Sequence, residues 1–428
     1  MRALPLLPLL ASLACAPAGV TYHADVKPLL EGRCVNCHVA GGIAPFALDS
    51  YAQAKTYGAS MVAATESGTM PPWRAGAADV HYLRDPSLTA AQKKVLSDWV
   101  NAGMPEGDAK AKPTVQLAPI GGGLDRTDLT LAMPEAYTPT QAPDDYRCFP
   151  LTWPQAQTMA VTGFDAEPGN TRMVHHIALY LVPPDAADLP HQWDQEEAGP
   201  GYSCFGGPFG KHDQSFAVQL ITAWIPGYQG VSFPRGMGIE VPKGATVVLQ
   251  LHYNVQDTKT QDLTKLHFKL EPKAQRRAAY QPYLNVAWVA GQMKIPAGQS
   301  EVVHQYQSDP RDFFRLLGSP LNLDNGFNLE AVMFHMHRLG VHGQLWLNKA
   351  NGTSIKVLDV PAWDFHWQIE YYLDTPLRFE PGDKLHLSCT FDNSQARMQP
   401  GQQQLTDVNW GENSDEEMCV ANILSTEP

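Results

Sequence analysis

The chain has 428 residues, 44% hydrophobic and 18% charged, with a formal net charge of −13. That length exceeds what one core supports and implies about three domains of ordinary size; the composition is that of a globular chain, not a disordered one. The acidic balance excludes nucleic acid and anionic membrane surfaces as partners.

Residues 1–18 read as a secretory signal. Arg2 precedes an apolar stretch too short to span a bilayer. Ser12-Leu13-Ala14-Cys15 has the form of a bacterial lipobox. It predicts a protein anchored in the periplasm or on the cell surface through a lipid on Cys15. Cleavage after Ala16-Pro17-Ala18 is the alternative and would give a secreted soluble protein. No later apolar run is long enough for a transmembrane helix.

Residues 20–108 are expected to form a small all-α domain. Near its start stands Cys34-Val35-Asn36-Cys37-His38. Two thiols in C-x-x-C spacing can add to the two vinyl groups of a haem, and the following His38 then serves as axial ligand to the iron. Without that histidine the pair would suggest a redox dithiol or half a zinc site. Ser50–Ser67 is helix-compatible. Thr89-Ala90-Ala91-Gln92 is a capping box that opens a second helix, with Val95, Leu96, Trp99 and Val100 on its apolar face and Gly103 as its stop. Between the two lies Met70-Pro71-Pro72-Trp73. A methionine in a Pro-rich loop after the haem motif suits the sixth iron position, and His/Met ligation favours electron transfer. Met61 and Met104 compete with Met70 for that role. The domain is thus expected to be a cytochrome c domain that receives electrons from a periplasmic donor.

A Pro/Gly/Ala linker spans 109–123. Beyond it the pattern changes to short runs rich in Val, Ile, Leu, Tyr and Phe between turn residues. They include His176–Val182, Thr246–Val255, Glu330–Arg338, Gln368–Leu373, Lys384–Phe391 and Met418–Leu424. The chain is therefore expected to be mainly β after residue 123, with two antiparallel β-sandwiches, jelly-roll-like, over 124–273 and 274–428.

Three of these runs carry histidines. In Val174-His175-His176, adjacent strand residues point to opposite faces, so both rings can meet one metal only at a strand end or a bulge. In Leu249-Gln250-Leu251-His252-Tyr253-Asn254, His252 shares a polar face with Gln250 and Asn254. In His335-Met336-His337, the i, i+2 spacing sets two imidazoles on one side of a strand, about 7 Å apart, as a chelating pair. Met418-Cys419 offers a thioether beside a cysteine. Imidazole with thioether suits copper better than zinc, magnesium or calcium. Of the seven cysteines, Cys148, Cys204, Cys389 and Cys419 remain for two disulfides in an oxidising compartment, and three pairings are open.

Taken in order, Tyr146-Arg147-Cys148, Val174-His175-His176, Thr222-Ala223-Trp224, Leu249–Tyr253, His335–Gly340 and Asp415–Cys419 resemble the copper type II ascorbate-dependent monooxygenases, the family of peptidylglycine hydroxylating monooxygenase and dopamine β-monooxygenase. The resemblance covers 124–428. It implies an electron-storing copper on His175, His176 and His252, and a catalytic copper that activates O2 on His335, His337 and Met418. It also implies disulfides Cys148–Cys204 and Cys389–Cys419, and hydroxylation of an activated C–H bond of a small organic substrate. The peptide-hydroxylating members carry an arginine two residues before the His-x-His pair, where this chain has Met333. Val420 and Ala421 stand where those members have polar residues. Peptidylglycine is therefore not the expected substrate. The fused haem could replace ascorbate as electron donor to copper. The rival reading is a non-enzymatic redox or copper-binding lipoprotein that keeps the fold.

Overall fold

The computed structural model describes residues 19–42, 44–117, 123–142, 144–205, 207–212, 218–226, 230–255, 260–365, 367–398, 403–411 and 415–428. The signal segment with Cys15 lies outside them. The chain divides into two compact units: Met1–Ala40, Phe46–Pro72 and Pro86–Ala118 form one, and Gly41–Pro45, Trp73–Asp85 and Pro119–Pro428 the other.

Among its described residues the first unit holds helices and no strand. Ser50 caps the helix Tyr51–Glu66 through Gln53 N. Thr89 opens Ala90–Asn101 with both bonds of the capping box, Thr89 N donating to Gln92 Oε1 at 2.8 Å and Gln92 N to Thr89 Oγ1 at 3.3 Å. Gly103, with φ +80°, ends that helix as its left-handed stop. Tyr22, Val26, Leu29 and Leu30 from the first helical stretch pack with Leu96 and Trp99 in a shared apolar core.

The second unit is built of sheets. A five-stranded sheet contains Asp144–Thr152, Thr246–Asn254, Val174–Val182 and Gln219–Trp224, with the short strand Tyr202–Ser203 at its edge. A four-stranded sheet contains Val302–Ser308, Lys384–Phe391, Gly340–Asn348 and Ser354–Val360. Both pack on one nine-stranded sheet. Leu249, Leu251, Ile177, Phe164 and Phe268 fill the first layer; Phe334, Leu345, Leu385 and Phe391 fill the second. Each such fully buried side chain contributes about 1.5–3 kcal/mol of burial. The unit is mainly β, as the short apolar runs between turn residues predict.

Two boundaries differ from the expectation. The division at 273/274 falls just before a strand that joins the halves. Arg276–Tyr283 runs parallel to Met237–Val241 and antiparallel to Val420–Thr426, so a single sheet crosses the boundary. The buried carboxylate of Glu330 holds this seam, with Arg235 Nη2 and Arg276 Nη2 each at 2.6 Å. The second difference is Trp73–Asp85, which was expected within the helical domain of 20–108. It belongs to the sheet unit, where Tyr82 bridges Leu373, Gly76 N donates to Asp359 O at 2.7 Å and Leu83 N to Tyr372 O at 2.7 Å. Edge backbone groups of the sheet decide where this segment lies, and its own sequence carries no strand signal.

The expected pairings Cys148–Cys204 and Cys389–Cys419 are both present. Of the six expected strand runs, Gln368–Leu373 shifts most: the strand there is Tyr371–Phe379.

Candidate metal centres

His176 and His252 face one another across the pair Val174–Val182 and Thr246–Asn254. The register shifts between Val174 and His176, so His175 is the extra residue of a bulge. That bulge solves the problem posed by adjacent strand residues and turns both rings to one side. His252 Nδ1 lies 3.1 Å from His176 Nδ1, which lies 3.4 Å from His175 Nδ1. The ligand atoms of the three residues all fall within 4.8 Å of one another. Asp144 Oδ1 accepts from His252 Nε2 at 2.9 Å, which leaves Nδ1 to face the group. Tyr146 stacks on the His252 ring at 4.2 Å. Such a cluster of imidazole nitrogens, one of them oriented by a carboxylate, could hold a metal ion.

His335 ends the strand Phe327–His335, paired with Val420 on the neighbouring strand. Just beyond these strand ends, His337 and Met418 line the same cavity as His335. The two rings lie 5.0 Å apart. Gln368 Oε1 meets His335 Nδ1 at 2.8 Å, and the carbonyl of Glu416 meets His337 Nδ1 at 3.1 Å. Both rings thus turn Nε2 toward any shared ligand. Burial pushes the His335 pKa down, which keeps the ring neutral and able to coordinate. Glu417, fully buried, accepts from His337 N at 2.8 Å and Leu339 N at 2.5 Å, fixing the loop that carries Met418. Burial pushes this carboxyl up to about 8 against its backbone donors. The disulfide Cys389–Cys419 ties the same loop to Lys384–Phe391.

One cavity of about 260 Å³ takes His176 from the first group and His335, His337 and Met418 from the second. Ile177, Leu220, Met333, Phe365 and Val420 contribute apolar wall, and no Asp, Glu, Lys or Arg lines it among the described residues. The arrangement can hold one metal ion on imidazoles alone and another on imidazoles with a thioether, beside an uncharged organic molecule.

In the helical unit, Cys34 and Cys37 lie on the turn after Lys27–Arg33, with Cys37 N and His38 N both donating to Cys34 O. Neither thiol is in a disulfide. Burial pushes Cys34 up to about 12 and Cys37 upward too, opposite to the lowering that a redox dithiol needs. His38 Nδ1 meets Phe46 O at 3.0 Å, the orienting contact that an axial histidine requires. The donor set therefore fits a covalently bound haem. Of the competing methionines, Met61 is buried in the core and Met104 packs over Gly58, where a Cβ would come 2.7 Å from its sulfur. Met70 is 42% exposed.

Sequence reasoning missed Asp144, Gln368 and Glu417. Asp144 lies two residues before one quoted motif and Glu417 within another, but nothing local marks the first as partner of the His252 ring or the second as acceptor for the backbone at His337. The remaining described histidines take ordinary roles: His342 pairs with Asp359 at 2.6 Å, and His212 stacks on Trp193. His366 lies outside the described residues.

Residues 129–260 match the family model for the copper type II ascorbate-dependent monooxygenase N-terminal domain, and residues 283–425 match that for the C-terminal domain. No curated protein matches the chain.

Proposed function

Because the chain belongs to the copper type II ascorbate-dependent monooxygenase family, we propose that it hydroxylates an activated C–H bond of a small, uncharged organic substrate, with a haem c on its own N-terminal segment as electron source. The observation that carries this reading is the shared cavity, walled by His176 on one side and by His335, His337 and Met418 on another.

Nδ1 of His175, His176 and His252 would hold one copper; Nε2 of His335 and His337 with the Met418 sulfur would hold a second. Copper bound there supplies the one-electron and dioxygen chemistry of the family, and the thioether favours its reduced state. The protein's own part is orientation and exclusion. Asp144 and Gln368 select the ring tautomers, and Glu417 and the Cys389–Cys419 bridge hold the Met418 loop. The apolar wall keeps bulk water from the reacting carbon. Met333, in place of the arginine of peptide-hydroxylating members, supplies no charge to a carboxylate. An uncharged substrate with a benzylic or similarly weak C–H bond fits these walls.

Cys34 and Cys37 would carry the haem thioethers, His38 the proximal position and Met70 the distal one. Tethering such a donor to the sheet unit would raise its effective concentration far above that of a diffusing reductant. Two disulfides and a covalent haem suit the periplasm or the cell surface, with Cys15 as lipid anchor.

The test is metal content and electron flow in the full chain. Two coppers and one haem per chain are expected, and dithionite-reduced haem should reoxidise on oxygen addition only when copper is loaded. Fewer than two coppers would sink the monooxygenase assignment of these residues. Haem that stays reduced would remove the internal electron route. Oxygen uptake across neutral alkylbenzenes, phenethylamines and peptides then selects the substrate class, with the neutral compounds expected to lead.

A further inference from the structure

Hydroxylation consumes protons as well as electrons: RH + O2 + 2e⁻ + 2H⁺ gives ROH + H2O. The cavity that houses the reaction offers no carboxylic acid among its described lining residues. A second, narrow pocket of about 20 Å³ adjoins it, and the two share Ala223, Ile225 and Gln368 as walls. That space matches about one water molecule. Glu370 and Thr222 line this second pocket and not the first.

We propose that Glu370 is the proton donor to the reaction cavity, passing its proton through one water held between its carboxyl, Thr222 and Gln368. The inference rests on the oxygenase reading above. Glu370 is half-buried. From the strand Gln219–Trp224, Ala223 N donates to Glu370 Oε1 at 3.2 Å. The hydroxyls of Tyr280 and Tyr372 flank the carboxyl and lie 3.5 Å apart. The charge of Arg84, whose guanidinium sits 5.4 Å over the Tyr372 ring, acts on the carboxyl as well. Burial outweighs these donors and raises the pKa of Glu370 above the ordinary carboxyl range, so the group holds a proton at higher pH than a surface glutamate. The O–H bond of the carboxyl breaks toward the water, the water passes a proton into the cavity, and the carboxylate is reprotonated from solvent before the next turnover. The electrons come from the electron source of the oxygenase reading above, and in the assay below from ascorbate. No bond of Glu370 to substrate or metal is required, so its loss should alter proton supply without altering either binding event.

The test uses copper-loaded full-length protein with ascorbate and dioxygen, which consume protons without any organic substrate. Glu370→Gln keeps the shape and removes the proton; it should slow oxygen uptake at least about tenfold and flatten its pH profile, while copper content stays at the wild-type value. Glu370→Asp should recover part of the rate and the pH dependence. Independently of turnover, a pH titration of the protonated-carboxyl infrared absorption in metal-free protein should lose one group in Glu370→Gln relative to wild type, with the contribution of Glu417 remaining. Uptake and pH profile unchanged in Glu370→Gln, or no group lost, overturns the proposal. Wild-type protein that binds two coppers yet takes up no oxygen overturns the oxygenase reading, and this inference with it; normal wild-type uptake with an indifferent Glu370→Gln overturns the proton route alone.

Discussion

Gln368 offers the sharpest test of how the second histidine group works. Its Oε1 lies 2.8 Å from His335 Nδ1 and its Nε2 donates to Phe365 O at 2.9 Å, so the amide can only accept from the ring. His335 therefore carries its proton on Nδ1 and its lone pair on Nε2. Gln368→Leu preserves the volume and deletes the acceptor. An N–H deprived of its partner in a buried site costs about 1–3 kcal/mol, and the ring also loses its orientation. Loss of a partner of this kind typically weakens a metal site by about 10–100-fold, equivalent to about 1.4–2.8 kcal/mol; the two routes agree. Titration of metal-free protein with Cu(I) against a competing chelator should show one of two coppers weakened by that factor and the other unmoved. Gln368→Glu keeps the acceptor and should hold wild-type affinity. Two unmoved sites in Gln368→Leu, or equal weakening of both, would refute the reasoning that this amide selects the tautomer.

The complementary change is Asp144→Ala, which removes the acceptor from His252 Nε2; the same titration should weaken the other copper by about 10–100-fold and leave the His335 site alone. Cys389→Ser with Cys419→Ser opens a loop of 30 residues, and chain entropy alone puts the loss near 4 kcal/mol, to be read from urea unfolding of the metal-free protein. Asp383 gives a pH-dependent case. Burial alone would raise its carboxyl, but Lys349 Nζ at 2.6 Å and the N–H groups of Glu380 and Ala350 hold it below the usual range. A carboxyl depressed in the folded state stabilises above its unfolded pKa and loses that contribution as pH falls through the folded value. Asp383→Asn should therefore be about 1–3 kcal/mol less stable at pH 7, with the gap closing below about pH 4; a gap that persists into acid would contradict the assignment.

Much of the site was legible in the chain. The donor types, the His-x-His spacing and the C-x-x-C-H pentapeptide are local, and local spacing survives any fold that makes the segment a strand or a turn. Matches over 129–260 and 283–425 fall inside the expected 124–428. The capping box at Thr89 was also readable, because both of its hydrogen bonds close within four residues.

What tertiary structure decided are relations between distant segments. The bulge at His175 exists only against the partner strand that carries His252, 76 residues beyond His176. Met418 and His337 follow directly on the paired strand ends Val420 and His335 and line the same cavity, and a slip of one residue in that pairing would change which side chains face it. Gln368, Asp144 and Glu370 take their meaning from what they face, and no spacing in the sequence encodes that. The strand Arg276–Tyr283 joins the two expected sandwiches in one sheet because it pairs on both edges at once. Residue chemistry and periodicity set which metals and which layers are possible; pairing of backbone groups far apart in the chain chose the one arrangement that brings them around a single cavity.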